Sequence, residues 1–257
     1  MKIKKIVVIG GGKGISPVLS GLKKYPVRLS AVVSMADSGG SSGKLREEMG
    51  VLPPGDIRRA FLALARVDKA ISDLFNFRFS EGKFSGHNFG NLFISVLEKT
   101  TGSLEKAIAI TGDILKIRGG VIPVSLQKTD LFAVLETGKV IKGETNIDIP
   151  KHNRNLKIKK IYLKPKARIY SKAAEAIRNA DLIVIGPGDL YSSLAQVLLT
   201  EGTSQTIKKS RAKKIYICNA MTKYGETNNF TVSDFAEEIE KFLGQKLDYV
   251  IYNTKIP

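Results

Sequence analysis

Asp37 closes an apolar run, LSAVVSMA, and only glycine and serine follow it, SGGSSG, before Lys44 and a helical LREEM. A core gains little from such residues, since they bury almost no apolar area and fixing glycine costs extra backbone entropy. They suit a ligand outside the core. Asp37 has the chemistry to accept from a ribose hydroxyl or to organise a cation, and it is the one candidate catalytic carboxylate here. Gly39 and Gly40 let backbone approach, Ser41 and Ser42 donate to phosphate, and Lys44 and Arg46 offset charge. Magnesium bridged through a phosphate is compatible with Asp37, though one carboxylate alone is a thin metal site.

Other segments repeat the pattern. GGGKG, with Gly10, Gly11, Gly12, Lys13 and Gly14, follows the apolar KKIVVI, and GPGD, with Gly186, Gly188 and Asp189, follows DLIVI; Tyr191 and Ser192 come just after. Both loops fall at a strand end and a helix start, where free N–H groups and the helix dipole favour an anion. Tight turns for close packing are the plainer alternative for each. PPGDIRR places Asp56 as a helix N-cap and Arg58 as a phosphate partner. GHNFGN brings His87, Asn88 and Asn91 to another helix start, with His87 evenly balanced between turn residue and ligand contact. NAMTKYGET puts Asn219, Thr222, Glu226 and Thr227 after a strand, where ligands of open sheets bind.

Several known grammars fail. The first loop is not G-x-G-x-x-G, because the third position is Ile15; it is not a P-loop, because Gly14 follows Lys13 and Val7 stands where the first glycine belongs. Gly39 to Gly43 formally match G-x-S-x-G, with His87 or His152 as base. The loop is too glycine-rich for a strand-to-helix elbow, however, and a serine hydrolase is disfavoured. The single Cys218, in KIYICNA, excludes an internal disulfide and a CxxC metal pair and reads as core.

The elements that must position these residues alternate. KKIVVIG reads as a strand, ISPVLSGLKKY as a helix and VRLSAVVSM as a strand, the opening of a parallel sheet with crossover helices. Helical stretches follow: DIRRAFLALARV, AISDLFNFRF, NFGNLFISVLEKTT and SLEKAIAITGDIL. From Gly119 to about residue 165, VIPVSLQ, LFAVLETGK, VIKGETNI and LKIKKIYL read as antiparallel strands of a β-rich insertion. Alternation then resumes through SKAAEAIRNA, DLIVIG, LYSSLAQVLL, KKIYICNA, SDFAEEIEKFLG and DYVIYN. The expected fold is α/β, a three-layer α/β/α Rossmann-like arrangement with a mostly parallel sheet, in one domain spanning residues 1–257.

The chain has 257 residues and a formal net charge of +17. Residues 151–180 alone carry ten Lys and Arg against one Glu. Such a segment suits an anionic partner, nucleic acid included, acting through Lys157, Lys159 and Lys160. No run of aromatic residues accompanies the lysines in sequence, so a solvated face is the plainer expectation. No apolar run is long enough for a signal or a membrane span, which predicts a soluble, intracellular protein. A homo-oligomer remains compatible.

Taken together, VVIGGGKGISPVLSGLKKY, MADSGGSSGKLREEMGVLPPGDIRRAFLALA, FSGHNFGNLFI, ADLIVIGPGDLYSSL and IYICNAMTKYGETNNFTVSDF resemble the gluconeogenesis factor family. These YvcK-like proteins are relatives of the 2-phospho-L-lactate transferases in the CofD-like superfamily. The resemblance implies a nucleotide crevice taking a nucleotide sugar such as UDP-N-acetylglucosamine. It also implies a cytoplasmic regulator of carbon metabolism, cell-wall precursor supply and cell shape, with protein partners in cell-wall synthesis. The transferase relatives imply the alternative, magnesium-dependent transfer of a phospholactyl-type group from a guanosine diphosphate carrier. Three positions depart from the pattern. Ser38 replaces the second residue of an Asp-Asp pair, which weakens the transferase expectation. Asp189 replaces a serine and sets a negative charge at the second phosphate loop. The chain ends at IYNTKIP, where family members continue with a segment that helps close the sugar pocket.

Overall fold

Apolar runs that end on glycine set the architecture. The computed structural model describes residues 3–255; the first two residues, and the last two of the terminal IYNTKIP, lie outside it. The first half holds β1 (Lys5–Gly10), α1 (Gly12–Leu22), β2 (Arg28–Val33), α2 (Gly40–Met49), α3 (Gly55–Leu64), α4 (Lys69–Asn76), α5 (Phe89–Thr101), α6 (Leu104–Ile114) and β3 (Gly120–Pro123). A second group comprises β4 (Asp130–Leu135), β5 (Val140–Lys142), α7 (Glu144–Asp148) and β6 (Ile158–Lys164). The chain closes with α8 (Ser171–Arg178), β7 (Leu182–Ile185), a π-helical turn (Leu190–Leu194) running into α9 (Ala195–Leu199), α10 (Thr203–Lys209), β8 (Lys213–Ile217), α11 (Val232–Leu243) and β9 (Tyr249–Ile251).

Six strands form one parallel sheet in the order β3-β2-β1-β7-β8-β9, with helices on both sides. This is the doubly wound order in which the chain reverses direction across the sheet between β1 and β7. Parallel strands covered on both faces read as continuous apolar runs, and Val7, Val8 and Ile9 are buried, as are Ile183, Val184 and Ile185. Against them pack Ile15 and Leu19 of α1 and Ile57, Phe61 and Leu64 of α3. Each such side chain contributes about 1.5–3 kcal/mol of burial.

Several sequence expectations change. VIP at Gly120–Pro123 is not part of the insertion; it pairs parallel with β2 at the edge of the main sheet. The antiparallel sheet has three strands, β5-β4-β6, and begins only at Asp130. Between β5 and β6, ETNID is helical rather than extended. The short α10 was not foreseen, because TSQTIKK lacks a long apolar stripe. Asp56 is not an N-cap: Pro54 holds that position, and Asp56 lies buried in the first turn of α3. The most telling change concerns α1 and α2, which begin at Gly12 and Gly40, so the glycine and serine residues themselves form the first helical turns. Glycine's low helix propensity hides such starts, and close backbone approach explains them. A Cβ on Gly12 would lie 2.4 Å from the Asp56 carbonyl oxygen, and one on Gly14 2.2 Å from that of Pro187.

Candidate functional site

Beyond the carboxyl ends of β1, β2 and β7 lies a cavity of about 670 Å³. Its walls are the starts of α1 and α2, the first turn of α3, the loop after β7, and α7 from the small sheet. Of the residues singled out in sequence, Gly11, Lys13, Gly14, Asp37, Gly39, Gly40, Ser41, Ser42, Asp56, Arg58, Asn91, Gly188, Asp189, Ser192 and Asn219 line it.

The others do not line it. Gly10 and Gly186 have positive φ, and the Gly186 N–H donates to the Ile9 carbonyl at 2.9 Å, joining the ends of β1 and β7. The Gly12 N–H is spent on the Asp56 carboxylate. Asn88 caps α5 by accepting from the Asn91 N–H at 3.1 Å, while His87 is buried beside it with Nδ1 unpaired. Thr222 is exposed, and buried Thr227 accepts from the Lys223 N–H at 2.9 Å. Lys44 does not line the cavity, and Arg46 turns away to Asp130 at 2.6 Å.

Two helix starts differ in what fills them. At α2 the N-cap is Gly39, no side chain caps the helix and no acid lies in the first turn. The Gly39 N–H donates to Asp37 at 2.8 Å, but none of the Gly40, Ser41 and Ser42 amides has an acceptor recorded among the described residues. The Ser41 hydroxyl accepts from the Asn88 N–H at 3.1 Å and that of Ser42 from Asn91 Nδ2 at 3.5 Å, leaving both hydroxyl protons for a ligand. At the π-helical turn the N–H groups of Tyr191 and Ser192 donate to Glu226 at 3.2 and 3.1 Å, and the Ser192 hydroxyl donates at 2.7 Å. The Gly188 N–H is taken by Asn219 at 3.1 Å. The loop expected to hold a second phosphate thus already holds a carboxylate of its own chain. Burial raises the pKa of Glu226, with Lys223 opposing the shift.

Asp189, the residue that departs from the family's serine, has its charge met. Lys223 Nζ lies 2.7 Å from Asp189 and 3.0 Å from Glu226, and it also contacts Asp148 of α7. Burial works against the Lys223 charge, yet Glu226, Asp148 and Asp189 outweigh it and raise the lysine's pKa. The three carboxylates are close enough to share one cation, and the ammonium serves as that cation here.

The opposite wall holds a charge with no ion-pair partner among the described residues, Asp56 acting on it only at longer range. Arg58 is 6% exposed, yet its hydrogen bonds go to neutral groups: Nε to Asn91 at 2.9 Å, and NH1 to Asn76 at 2.8 Å and the Phe75 carbonyl at 3.4 Å. No carboxylate forms an ion pair with it among the described residues, and burial lowers its pKa to about 10. Nearby, burial and then the charge of Asp37 push Asp56 up to about 6, with Arg59 at 3.2 Å offsetting part. Burial, Asp37 and Asp148 push Glu144 up to about 8.

Sequence inspection missed Glu144, Thr145 and Asp148 of α7, along with Arg59, Arg78 and Lys223. The two acids of ETNID, four apart in an otherwise basic stretch, were a usable signal. Thr145 binds the Ser38 hydroxyl through its N–H at 3.2 Å, so Ser38 ties α7 to the loop after β2. Cys218 is buried core, and burial raises its pKa.

Fold and site together define a doubly wound α/β protein with a polar crevice at the switch point of its sheet. The chain belongs to the CofD family: the model described as 2-phospho-L-lactate transferase CofD matches residues 6–257. A putative gluconeogenesis factor of Thermotoga maritima is 45% identical over 98% of this chain and 80% of its own length. One from Nostoc sp. is also 45% identical over 98% of this chain, which spans 56% of that relative. A crystal structure of a Bacillus halodurans protein superposes with a TM-score of 0.95 at 40% identity, covering all of this chain and 82% of the other. No helix among the described residues is long and apolar enough to cross a membrane.

Proposed function

We propose that the crevice binds a phosphate-bearing nucleotide, a nucleotide sugar of the UDP-N-acetylglucosamine kind, and that the protein acts as a ligand-responsive regulator of carbon and cell-wall precursor metabolism. One observation carries the ligand class: a buried guanidinium with only neutral partners, Arg58, lies beside the open N-terminus of α2. A buried charge is costly until an anion reaches it, and a helix start with free amides favours the same anion. In this reading Ser41, Ser42 and Lys13 complete the phosphate site and Asp37 takes a ribose hydroxyl. The gluconeogenesis-factor relatives support the metabolic role. Partner proteins in the cytoplasm are the expected readout.

The test is thermal unfolding against UDP-N-acetylglucosamine, UDP-glucose, GDP, GTP and NAD, each with and without magnesium, since a ligand bound only to the folded state raises the melting temperature. Stabilisation by a uridine sugar without magnesium is expected. No shift with any of them overturns the proposal.

A transferase reading stands second, on a specific observation. Asp37, Asp56 and Glu144 line the same cavity, and burial and mutual repulsion hold the latter two above the ordinary carboxylate range. Their oxygens do not all converge within 4.8 Å, as those of Asp148, Asp189 and Glu226 do, so magnesium here would have to arrive with a phosphate and share its oxygens. Bound there, the cation would neutralise phosphate charge, while Arg58 and the α2 amides would orient the group being transferred. Stabilisation by guanine nucleotides only with magnesium, and turnover abolished in Asp37→Asn, would move this reading ahead.

A further inference from the structure

The small antiparallel sheet has one buried face and one open face. Leu131, Ala133, Leu135, Ile161 and Leu163 point into the core. The alternate residues point outward, and their register makes a compact grid: Lys142, Phe132 and Tyr162 lie side by side in one row, and Val140, Val134 and Lys160 in the next. Asp130 pairs with Lys164 in the third row. Phe132 and Tyr162 are half-buried, with centroids 5.3 Å apart and planes only 12° from parallel. The Lys142 ammonium stands over the Phe132 ring at 6.0 Å, and that of Lys160 over the Tyr162 ring at 5.8 Å. Where the register slips beside Val134, Lys159 is left without a strand partner and exposed.

The positive charge of this face exceeds what its acids match. Elsewhere in residues 151–180, Arg168 meets Glu201 at 3.5 Å and Lys172 meets Glu105 at 3.2 Å. Lys159, Lys160 and Lys164 form no ion pair among the described residues. The one acid on the grid, Asp130, is already held by Arg46 at 2.6 Å and Lys142 at 3.3 Å. The aromatic element lacking in the linear sequence is supplied by β4, through Phe132 placed beside Tyr162.

We propose that this open face binds single-stranded nucleic acid without strong sequence preference. Lysines along the strands track the phosphates, and the paired rings offer a stacking surface for unpaired bases. An exposed cation–π contact is weak compared with base stacking, so an arriving base displaces Lys142 or Lys160 from its ring and frees the ammonium for phosphate. Among the described residues no helix projects from this face, which favours a single strand over a duplex. A purely structural aromatic pair would stabilise the sheet equally well without unmatched lysines around it.

The experiment is fluorescence anisotropy of a labelled oligo(U) and a labelled oligo(dT) with the full chain across a salt series. Binding is expected, weakening with salt as a few phosphate contacts require. Lys160→Gln with Lys164→Gln should flatten the salt dependence. Phe132→Leu and Tyr162→Leu, which keep the sheet's apolar bulk, should lower affinity about tenfold with the salt dependence unchanged. Phe132→Ala is a harsher version, used only if its circular dichroism and melting match wild type. Absence of binding overturns the proposal. So does equal binding of duplex, polyglutamate or phosphatidylserine vesicles with the ring substitutions silent, which would describe a polycationic patch for an acidic protein or a membrane. Because the crevice lies elsewhere, failure here leaves the nucleotide proposal standing.

Discussion

The helix start after β2 and the helix start after β7 share one local grammar, a buried strand, a glycine-rich loop and hydroxyl residues in the first turn, yet one is open and the other is filled. At α2 the amides face a cavity with Arg58 beside it; at the π-helical turn they grip Glu226, whose charge Lys223 balances. The amides of a glycine loop at a helix start favour an anion, and a residue far away in sequence decides whether the chain's own carboxylate takes that place. Here that residue follows Ser192 by 34 positions.

The sharpest way to break the comparison is Glu226→Ala. If Glu226 is the internal anion, its loss leaves two amides and the Ser192 hydroxyl unsatisfied in a buried place, while Lys223 keeps Asp148 and Asp189, and should cost about 1–3 kcal/mol, read from urea unfolding. A cost near zero would mean that both helix starts are open. Arg58→Met probes the other side. Phosphate-ligand affinity should fall at least tenfold, since hydrogen bonds to a charged group contribute about 1.5–3 kcal/mol. Stability without ligand should shift by less than about 1 kcal/mol, because the relieved burial cost offsets the lost neutral hydrogen bonds. A large loss of stability with affinity intact would make Arg58 a structural residue.

Glu144 sharpens the contrast through pH. Its folded pKa of about 8 lies above the ordinary glutamate value, so the folded state keeps a proton that the unfolded state has released. Its contribution is full at low pH, declines as pH rises from the ordinary value, and levels off above about 8. One proton corresponds to a slope of at most about 1.4 kcal/mol per pH unit. Glu144→Gln should remove that slope from unfolding midpoints measured across the window; parallel curves for the two proteins would refute the assignment. The smallest effect belongs to Gly40→Ala. With φ of +46 and open space around the added methyl, it should cost about 1 kcal/mol of backbone strain. Gly14→Ala, which meets backbone at 2.2 Å, should cost more.

Much of the fold was legible because parallel strands buried on both faces leave continuous apolar runs, such as IVVI and LIVI. The doubly wound sheet followed from their alternation with amphipathic helices. VIP was misassigned because a short apolar run with proline looks the same at the edge of a parallel sheet as in a small antiparallel one. The cavity wall formed by residues 37–42 was legible from composition alone. What Glu226 does was not, since a carboxylate in a loop carries no sign of which amides it will meet. The α7 wall was hidden for the same reason: Glu144 and Asp148 matter through tertiary placement across the cavity, and nothing local announces it.

The central position of β1 has a consequence for synthesis. Its Ile6 to Ile9 edge pairs with Leu182 to Ile185, and no earlier strand covers that side. At typical elongation rates the ribosome needs roughly 10–35 s to make the intervening chain. For that interval the emerging first half presents an apolar, unpaired strand edge, the kind of surface that templates aggregation. The pairing that builds the crevice is also the one that ends this exposure.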